Sequence, residues 1–132
     1  MSDKLLKIAE KYLSHSHSPY SKAQVASAVE LENGEIFGGC NIENASYGGT
    51  VCAERVAIWK ALSEYPGQKL KRVLVMTDTA NPWPPCGFCR QVIAEFAKPS
   101  TEILLANKSG VKSTHAFQDI LPLAFGAEDL KK

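Results

Sequence analysis

Two short segments, residues 50–55 and 85–90, constrain this chain more than any others because they hold three of its four cysteines. The first segment contains Cys52 and, two positions later, Glu54, and the second contains Cys86 and Cys89 as a Cys-x-x-Cys pair. A structural zinc ion takes four protein ligands, whereas a catalytic zinc ion takes three and leaves one position for water. Three thiols with a carboxylate nearby therefore predict one catalytic zinc ion per chain, and a fold that brings both segments together.

Composition and charge narrow the class of protein. A chain of 132 residues is long enough to build a core without disulfides, so we expect a single domain over residues 1–132. Its 45% hydrophobic and 22% charged residues argue against a disordered tail and a membrane span. No signal-peptide pattern is found at the start, which predicts a cytoplasmic protein with reduced thiols. The formal net charge of +1 disfavours nucleic acid as a partner and favours a small substrate.

Hydrophobic periodicity predicts helices that alternate with strands. The predicted helices lie at residues 3–13, 51–65 and 87–97, with shorter helical pieces at 116–121 and 127–130. The predicted strands lie at residues 24–31, 35–39, 71–77, 102–106 and 111–113, and the turn at Asn33 and Gly34 joins the first two in a hairpin. This order predicts the α/β class, as a three-layer α/β/α sandwich around a mixed, roughly five-stranded sheet.

Both cysteine groups fall at predicted helix starts, where unpaired backbone N–H groups and the helix dipole favour the thiolate that zinc requires. Glu54 would project from the same helical turn as Cys52 without binding the metal, so we interpret it as the catalytic proton carrier. The alternative is a helix-start glutamate that complements the dipole. Arg55 and Arg90 are expected to donate hydrogen bonds to ligand sulfurs, the alternative being two surface arginines.

Cys40 is the remaining thiol and, by residue type alone, could be a fourth zinc ligand. A closed four-thiol site would make the chain a non-catalytic structural zinc module, which is a remote alternative. Because Cys40 ends a predicted strand and has no second ligand close by, we interpret it as a small buried thiol.

The chain resembles the short-form, homotetrameric, zinc-dependent cytidine deaminase family over nearly its whole length. Besides the cysteine segments, residues 18–22 resemble the substrate-access loop of that family, residues 39–47 its ribose-binding loop and residues 121–130 its C-terminal segment. The resemblance implies a hydrolase of pyrimidine salvage that converts cytidine or deoxycytidine to uridine or deoxyuridine and releases ammonia. It also implies that the zinc ligands are Cys52, Cys86 and Cys89.

The same resemblance implies a set of substrate contacts. Asn41 and Glu43 are expected to hold the ribose 3′-hydroxyl, with stabilisation of a turn as the alternative. The backbone N–H of Ala53 is expected to help hold the substrate. In a homotetramer, each pocket is expected to be completed by residues of other subunits, and these residues are Ala45, Tyr47 and Phe125.

The chain departs from the family where the pyrimidine base should lie. The family usually shows Ser-x-Phe-x-Val-Gly-Ala-Ala, whereas Ala23 stands here in place of the stacking Phe, and residues 25–28 are similar to the corresponding strand of blasticidin S deaminases. The lost ring favours a roomier pocket and an alternative function on N4-substituted or blasticidin S-like cytosine nucleosides. If Phe88 or Trp83 fills the space instead, cytidine is the ordinary substrate.

Overall fold

A five-stranded mixed sheet forms the centre of the computed structural model, which describes residues 2–131. The helices are α1 (Ser2–Leu13), α2 (Ala53–Glu64), α3 (Gly87–Phe96) and α4 (Phe117–Ile120). The strands are β1 (Val25–Leu31), β2 (Ile36–Cys40), β3 (Leu70–Thr77), β4 (Ala97–Asn107) and β5 (Gly110–Ala116). Their order across the sheet is β2-β1-β3-β4-β5, in which β3 and β4 are parallel and the other neighbours are antiparallel. The predicted α/β class and mixed sheet are confirmed.

Helices cover both faces of this sheet, as the three-layer prediction requires. In β3, Leu74 and Met76 pack in the cluster that contains the apolar stripe of α1, whereas Val73 and Val75 pack in the cluster that contains α2, α3 and α4. Side chains alternate between the faces of a strand, so a strand with both faces covered appears in sequence as an uninterrupted apolar run. Within residues 2–131, no helix combines the length and hydrophobicity needed to cross a membrane.

Two adjacent glycines of β2 allow the helices on opposite faces to approach the sheet closely. A Cβ atom at Gly38 would overlap the ring of Tyr12 in α1. A Cβ atom at Gly39 would lie 2.8 Å from the backbone nitrogen of Ala57 in α2, a contact that side-chain rotation cannot relieve. Glycine is therefore required for α2 to lie directly on β2, and this contact positions the helix that begins immediately after Cys52.

The structure differs from the prediction in β4, in β5 and in two short helical segments. β4 begins at Ala97, although Pro99, which cannot donate a ladder hydrogen bond, argues against a strand there. The register shifts between Leu70 and Arg72, and the Thr101 hydroxyl donates to the carbonyl of Leu70 at 2.7 Å, so β4 pairs around the proline. β5 extends to residue 116, and two short segments form 3₁₀ helices, at Tyr47–Gly49 and Ala127–Leu130.

Candidate active site

The three predicted zinc ligands meet at the starts of two helices. Cys52 is the N-cap residue of α2, Cys86 is the N-cap residue of α3, and Cys89 lies in the first turn of α3. Their Sγ atoms all lie within 4.8 Å of one another, and the Sγ atoms of Cys52 and Cys86 are 3.8 Å apart. All three are free thiols. The fold thus joins two segments that are far apart in sequence into one potential metal site.

The charge balance of this cluster fits a divalent cation. Hydrogen bonds from Cys89 and Arg55 lower the pKa of Cys52 to about 5, although burial opposes the shift. The pKa of Cys89 is raised by its hydrogen bond to Cys52, by burial and by nearby negative charge. Three thiolates at this spacing repel one another, so the cluster retains protons that a bound dication would displace. Thiolate sulfur is also a preferred ligand of zinc, and the residues therefore fit this metal.

Cys40 does not belong to the cluster. It lies at the end of β2 opposite Ala26, is 8% exposed, and has its pKa raised by burial. Among residues 2–131, the group of possible metal ligands consists of Cys52, Cys86 and Cys89. A closed site of four cysteines is therefore not formed, which argues against a structural zinc module.

Glu54 is buried in the first turn of α2, with 4% of its surface exposed. Burial, reinforced by the negative charge of Cys52, raises the pKa of the Glu54 carboxyl to about 7. Its oxygens are not part of the metal-ligand group, although the residue lines the adjoining cleft. A carboxyl group with a pKa near neutrality can both accept and release a proton at neutral pH.

Arg55 approaches the ligand sulfurs as predicted from the sequence. Its Nη2 atom donates a hydrogen bond to the Sγ atom of Cys52 at 3.4 Å. The guanidinium carbon lies 4.0 Å from the ring centroid of Phe88 and 5.9 Å from that of Trp59. The cation therefore contacts the Cys52 sulfur and two aromatic rings. A cation at this point offsets part of the negative charge of the thiolates.

Arg90 has different partners from those predicted. Its Nε atom donates to the carbonyl of Pro85 at 2.8 Å, and its Nη1 atom donates to the carbonyl of Ile120 at 2.7 Å. The predicted hydrogen bond from Arg90 to sulfur is therefore wrong. The side chain instead fixes the backbone immediately before Cys86 against the end of α4. No sequence pattern indicates this contact, because Ile120 is distant in sequence.

A cleft of about 320 Å³ opens beside the cysteines, near the lower limit of the roughly 300 to 1,000 Å³ typical of small-molecule sites. It brings together most of the side chains that the sequence predicts for the site, namely Ala23, Asn41, Glu43, Cys52, Ala53, Glu54, Trp83 and Cys86. Val25, Val75 and Pro84 add apolar surface. Two thiols and a carboxyl group thus share one cleft with a largely apolar wall.

Asn41 holds the segment that leads into β1. Its Nδ2 atom donates to the carbonyl of Ala23 at 2.8 Å, and its Oδ1 atom accepts from the N–H of Val25 at 3.0 Å. These bonds are those of a residue that stabilises a turn, the alternative raised by the sequence. An amide retains a further N–H and a further lone pair, so Asn41 can also bind a hydroxyl group in the cleft that it lines.

Glu43 is bound by the loop that precedes β1. Its Oε1 atom accepts from the backbone N–H groups of Tyr20 and Ser21 at 3.0 and 3.1 Å, and its Oε2 atom accepts from the Ser21 hydroxyl. The Ser21 hydroxyl bond is the main cause of a lowered pKa of Glu43. Sequence reasoning missed the role of Ser21, because a contact across 22 residues leaves no local pattern.

Besides Cys89 and the two arginines, the predicted site residues that do not line the cleft of their own chain are Ala45, Tyr47, Phe88 and Phe125. Tyr47 is 77% exposed and contacts the ring of Tyr20 edge-on, and Ala45 is exposed close by. Phe125 is 56% exposed and is held near α3, where the Gln91 side chain donates to its carbonyl at 2.7 Å. Phe88 is 61% exposed and contacts Arg55.

The chain is similar in sequence and in structure to known cytidine deaminases. A protein-family model for the cytidine and deoxycytidylate deaminase zinc-binding region matches residues 1–105, which include both cysteine segments. A cytidine deaminase of Halalkalibacterium halodurans is 43% identical over 127 residues, covering 96% of this chain and 95% of that protein. One of Sporosarcina psychrophila is 43% identical over 128 residues, covering 97% and 93%. A crystal structure of cytidine deaminase from Burkholderia pseudomallei aligns with a TM-score of 0.86 and 38% identity, covering 95% of this chain and 99% of that one.

Proposed function

Since the chain belongs to the cytidine and deoxycytidylate deaminase family, we propose that it is a zinc-dependent hydrolase that converts cytidine and deoxycytidine to uridine and deoxyuridine. The observation that carries this proposal is a cluster of three thiols beside a cleft that is lined by two of them and by a buried carboxyl group. The net reaction adds water at C4 of the pyrimidine and releases the amino group as ammonia. A nucleoside also suits the cleft, whose volume is small.

The metal ion would be held by Cys52, Cys86 and Cys89. When bound, zinc supplies a Lewis acid that lets water act as a nucleophile near neutral pH. Glu54 accepts a proton from the attacking water and delivers it to the ring nitrogen N3, a task for which a pKa near 7 is well matched. Ala53 opens α2, so its backbone N–H has no partner within the helix and can donate to the substrate.

Asn41 and Glu43 are proposed to bind the sugar at its 3′-hydroxyl. Both line the cleft, and together they offer hydrogen-bond donors and acceptors that suit a hydroxyl group. Glu43 also accepts hydrogen bonds from the backbone of residues 20 and 21, so the same carboxylate would bind the sugar and hold that loop in place.

A role in pyrimidine salvage follows from the reaction. We propose a cytoplasmic location, because cysteines that bind zinc must stay reduced.

The direct test is to measure ammonia release and zinc content on the same purified sample. Cytidine and deoxycytidine should be deaminated by protein that carries about one zinc ion per chain. Deoxycytidylate, N4-methylcytidine and blasticidin S complete the panel and rank the alternatives. Zinc-loaded, folded protein that releases no ammonia from cytidine or deoxycytidine would contradict the proposed function. Methylamine released from N4-methylcytidine, or ammonia released from another compound of the panel, would then favour the corresponding alternative.

We further propose a homotetramer in which neighbouring subunits complete each active site. The support is that Tyr47 and Phe125 are exposed aromatic residues that lie outside the cleft of their own chain. We expect light scattering to give the mass of four chains. We expect Phe125→Ala to lose activity while it keeps zinc, because its cysteines are intact. A monomer that is fully active at the concentration assayed would contradict shared sites.

Co-expression of two inactive chains gives a sharper test of sharing. In a mixed tetramer of Phe125→Ala and Glu54→Gln chains, some sites would combine Glu54 of the first chain with Phe125 of the second. Activity should therefore reappear above that of either variant alone. If Phe125 acts within its own chain, no site in the mixture is complete and activity stays low.

A further inference from the structure

We propose that Trp83 provides the aromatic surface on which the pyrimidine ring of the substrate stacks, in place of the ring that is missing at Ala23. This inference rests on the proposed nucleoside deaminase function and names a residue that determines its specificity. It begins from the shape of the cleft, in which Ala23 and Trp83 both form part of the wall.

The segments that carry these two residues lie side by side at one end of the sheet. β1 and β3 are antiparallel neighbours, so the chain that enters β1 runs beside the chain that leaves β3. Two hydrogen bonds continue the pairing, from the N–H of Gln24 to Asp78 Oδ1 at 3.4 Å and from the N–H of Asp78 to the carbonyl of Gln24 at 3.3 Å. An aromatic ring on the segment after β3 can therefore line the same cleft as a ring on the segment before β1.

The backbone at Trp83 is fixed by its neighbours. Pro82 and Pro84 flank it, and a following proline restricts the residue before it to extended conformations. The backbone N–H of Trp83 donates to the Oγ1 atom of Thr77 at 3.2 Å, and Thr77 is fully buried. This bond ties the residue to the last position of β3.

The direction of the hydrogen bonds around Thr77 can be deduced. The Thr79 hydroxyl donates to the carbonyl of Asn81 at 2.7 Å, so in its 2.8 Å contact with Thr77 it must accept. Thr77 therefore donates to Thr79 and accepts from Trp83. The amide of Asn107 donates to two carbonyls of the same loop at 3.2 and 2.9 Å and anchors it to β4. A loop held in this way presents the indole at little entropic cost on binding.

Phe88, the other ring considered for this task, faces elsewhere. Its ring contacts the Arg55 guanidinium and is absent from the cleft wall, where Trp83 is the one aromatic residue among residues 2–131. The cleft volume of about 320 Å³ is what remains with the indole in the wall. The substrate range should therefore be narrower than Ala23 alone would suggest.

Kinetics with cytidine separate this role from a structural one. Stacking on an aromatic side chain is lost in Trp83→Ala, so KM should rise roughly 5- to 150-fold, with a much smaller change in kcat and no loss of zinc. Trp83→Phe keeps a ring and should restore most of the affinity. Adding Ala23→Phe to Trp83→Ala should recover part of it. An unchanged KM in Trp83→Ala overturns the inference.

Ala23→Phe in the otherwise natural chain distinguishes a pocket already occupied by Trp83 from an open pocket, because the two models predict opposite effects on cytidine. If Trp83 already occupies the space, the second ring should reduce kcat/KM for cytidine and for N4-methylcytidine alike. If the pocket is open, the new ring should help cytidine and hurt the bulkier compound, and the inference about Trp83 would be wrong.

Fluorescence provides a readout that does not depend on turnover. The chain has two tryptophans, and Trp59 and Trp83 are similarly exposed, at 48% and 46%. In a Glu54→Gln background, Trp59→Phe leaves Trp83 as the reporter, and its emission should change as cytidine is added. Trp83→Phe leaves Trp59 as the matched control, whose emission should stay constant while calorimetry still detects binding.

The outcomes also separate this inference from the proposed function. If calorimetry shows that cytidine saturates the site and Trp83 emission does not change, the stacking role is wrong although the enzyme remains a deaminase. If the natural protein with zinc releases no ammonia from cytidine, the proposed function itself fails.

Discussion

Replacing Glu54 with glutamine is expected to lower kcat for cytidine by at least roughly 10² to 10⁴, the loss typical of removing an acid-base group. Glutamine has nearly the same shape as glutamate but cannot carry a proton between water and the ring. Since the Glu54 carboxylate is not part of the metal-ligand group, zinc content should be unchanged. Steady-state kinetics and metal analysis on the same preparation check both expectations.

Glu64 provides a matched control for that experiment. It lies at the other end of α2, is exposed, and does not line the cleft, so Glu64→Gln makes the same chemical change at a distance from the site. We expect its kinetics to match those of the natural protein. Near-normal turnover in Glu54→Gln would refute the assigned proton transfer, whatever the control shows.

Cys86→Ala should abolish zinc binding and, with it, deaminase activity. Cys86 supplies one of three sulfurs and also accepts a hydrogen bond from the backbone N–H of Cys89 at 3.5 Å, so its loss disturbs a second ligand. Cys40→Ala is the matched control, because it removes a thiol of the same kind from outside the cluster. That variant should retain zinc and activity. Metal analysis by mass spectrometry and ammonia release measure both properties.

The same pair of variants tests the remote alternative of a structural zinc site. If Cys40→Ala loses zinc as completely as Cys86→Ala does, the metal has four cysteine ligands and the open three-ligand site is wrong. Cys40 is not among the ligand atoms that lie within 4.8 Å of one another, and burial raises the pKa of its thiol; both observations argue against that outcome.

Much of the fold could be predicted because it depends on local patterns. The apolar run of β3, the hairpin turn at Asn33 and Gly34, and the stripe of α1 each lie within one short stretch of chain. The metal site was predictable for a similar reason, since Cys-x-x-Cys spacing is itself local. The start of β4 was not, because pairing with β3 overrides the unfavourable effect of Pro99.

Side-chain partners were harder to predict, because they join segments that are distant in sequence, whereas sequence patterns describe one short segment at a time. Arg55 and Arg90 both stand close to a cysteine in sequence, yet Arg55 bonds to sulfur and Arg90 bonds to two backbone carbonyls. Trp83 and Phe88 pose the same problem on either side of Cys86. Proximity in sequence offered both as replacement rings, and only the fold separates the one in the cleft from the one that contacts Arg55.

The central position of β3 in the sheet also governs the order in which the chain can fold. The β1–β2 and β4–β5 hairpins close over short turns, whereas β1 reaches β3 only across the whole of α2, and β3 reaches β4 only across α3. Loop-closure entropy and non-local pairing both slow the later steps. We therefore expect the hairpins to form early and the cysteines to meet only when β3 is placed. Zinc would then stabilise a nearly complete fold without nucleating it.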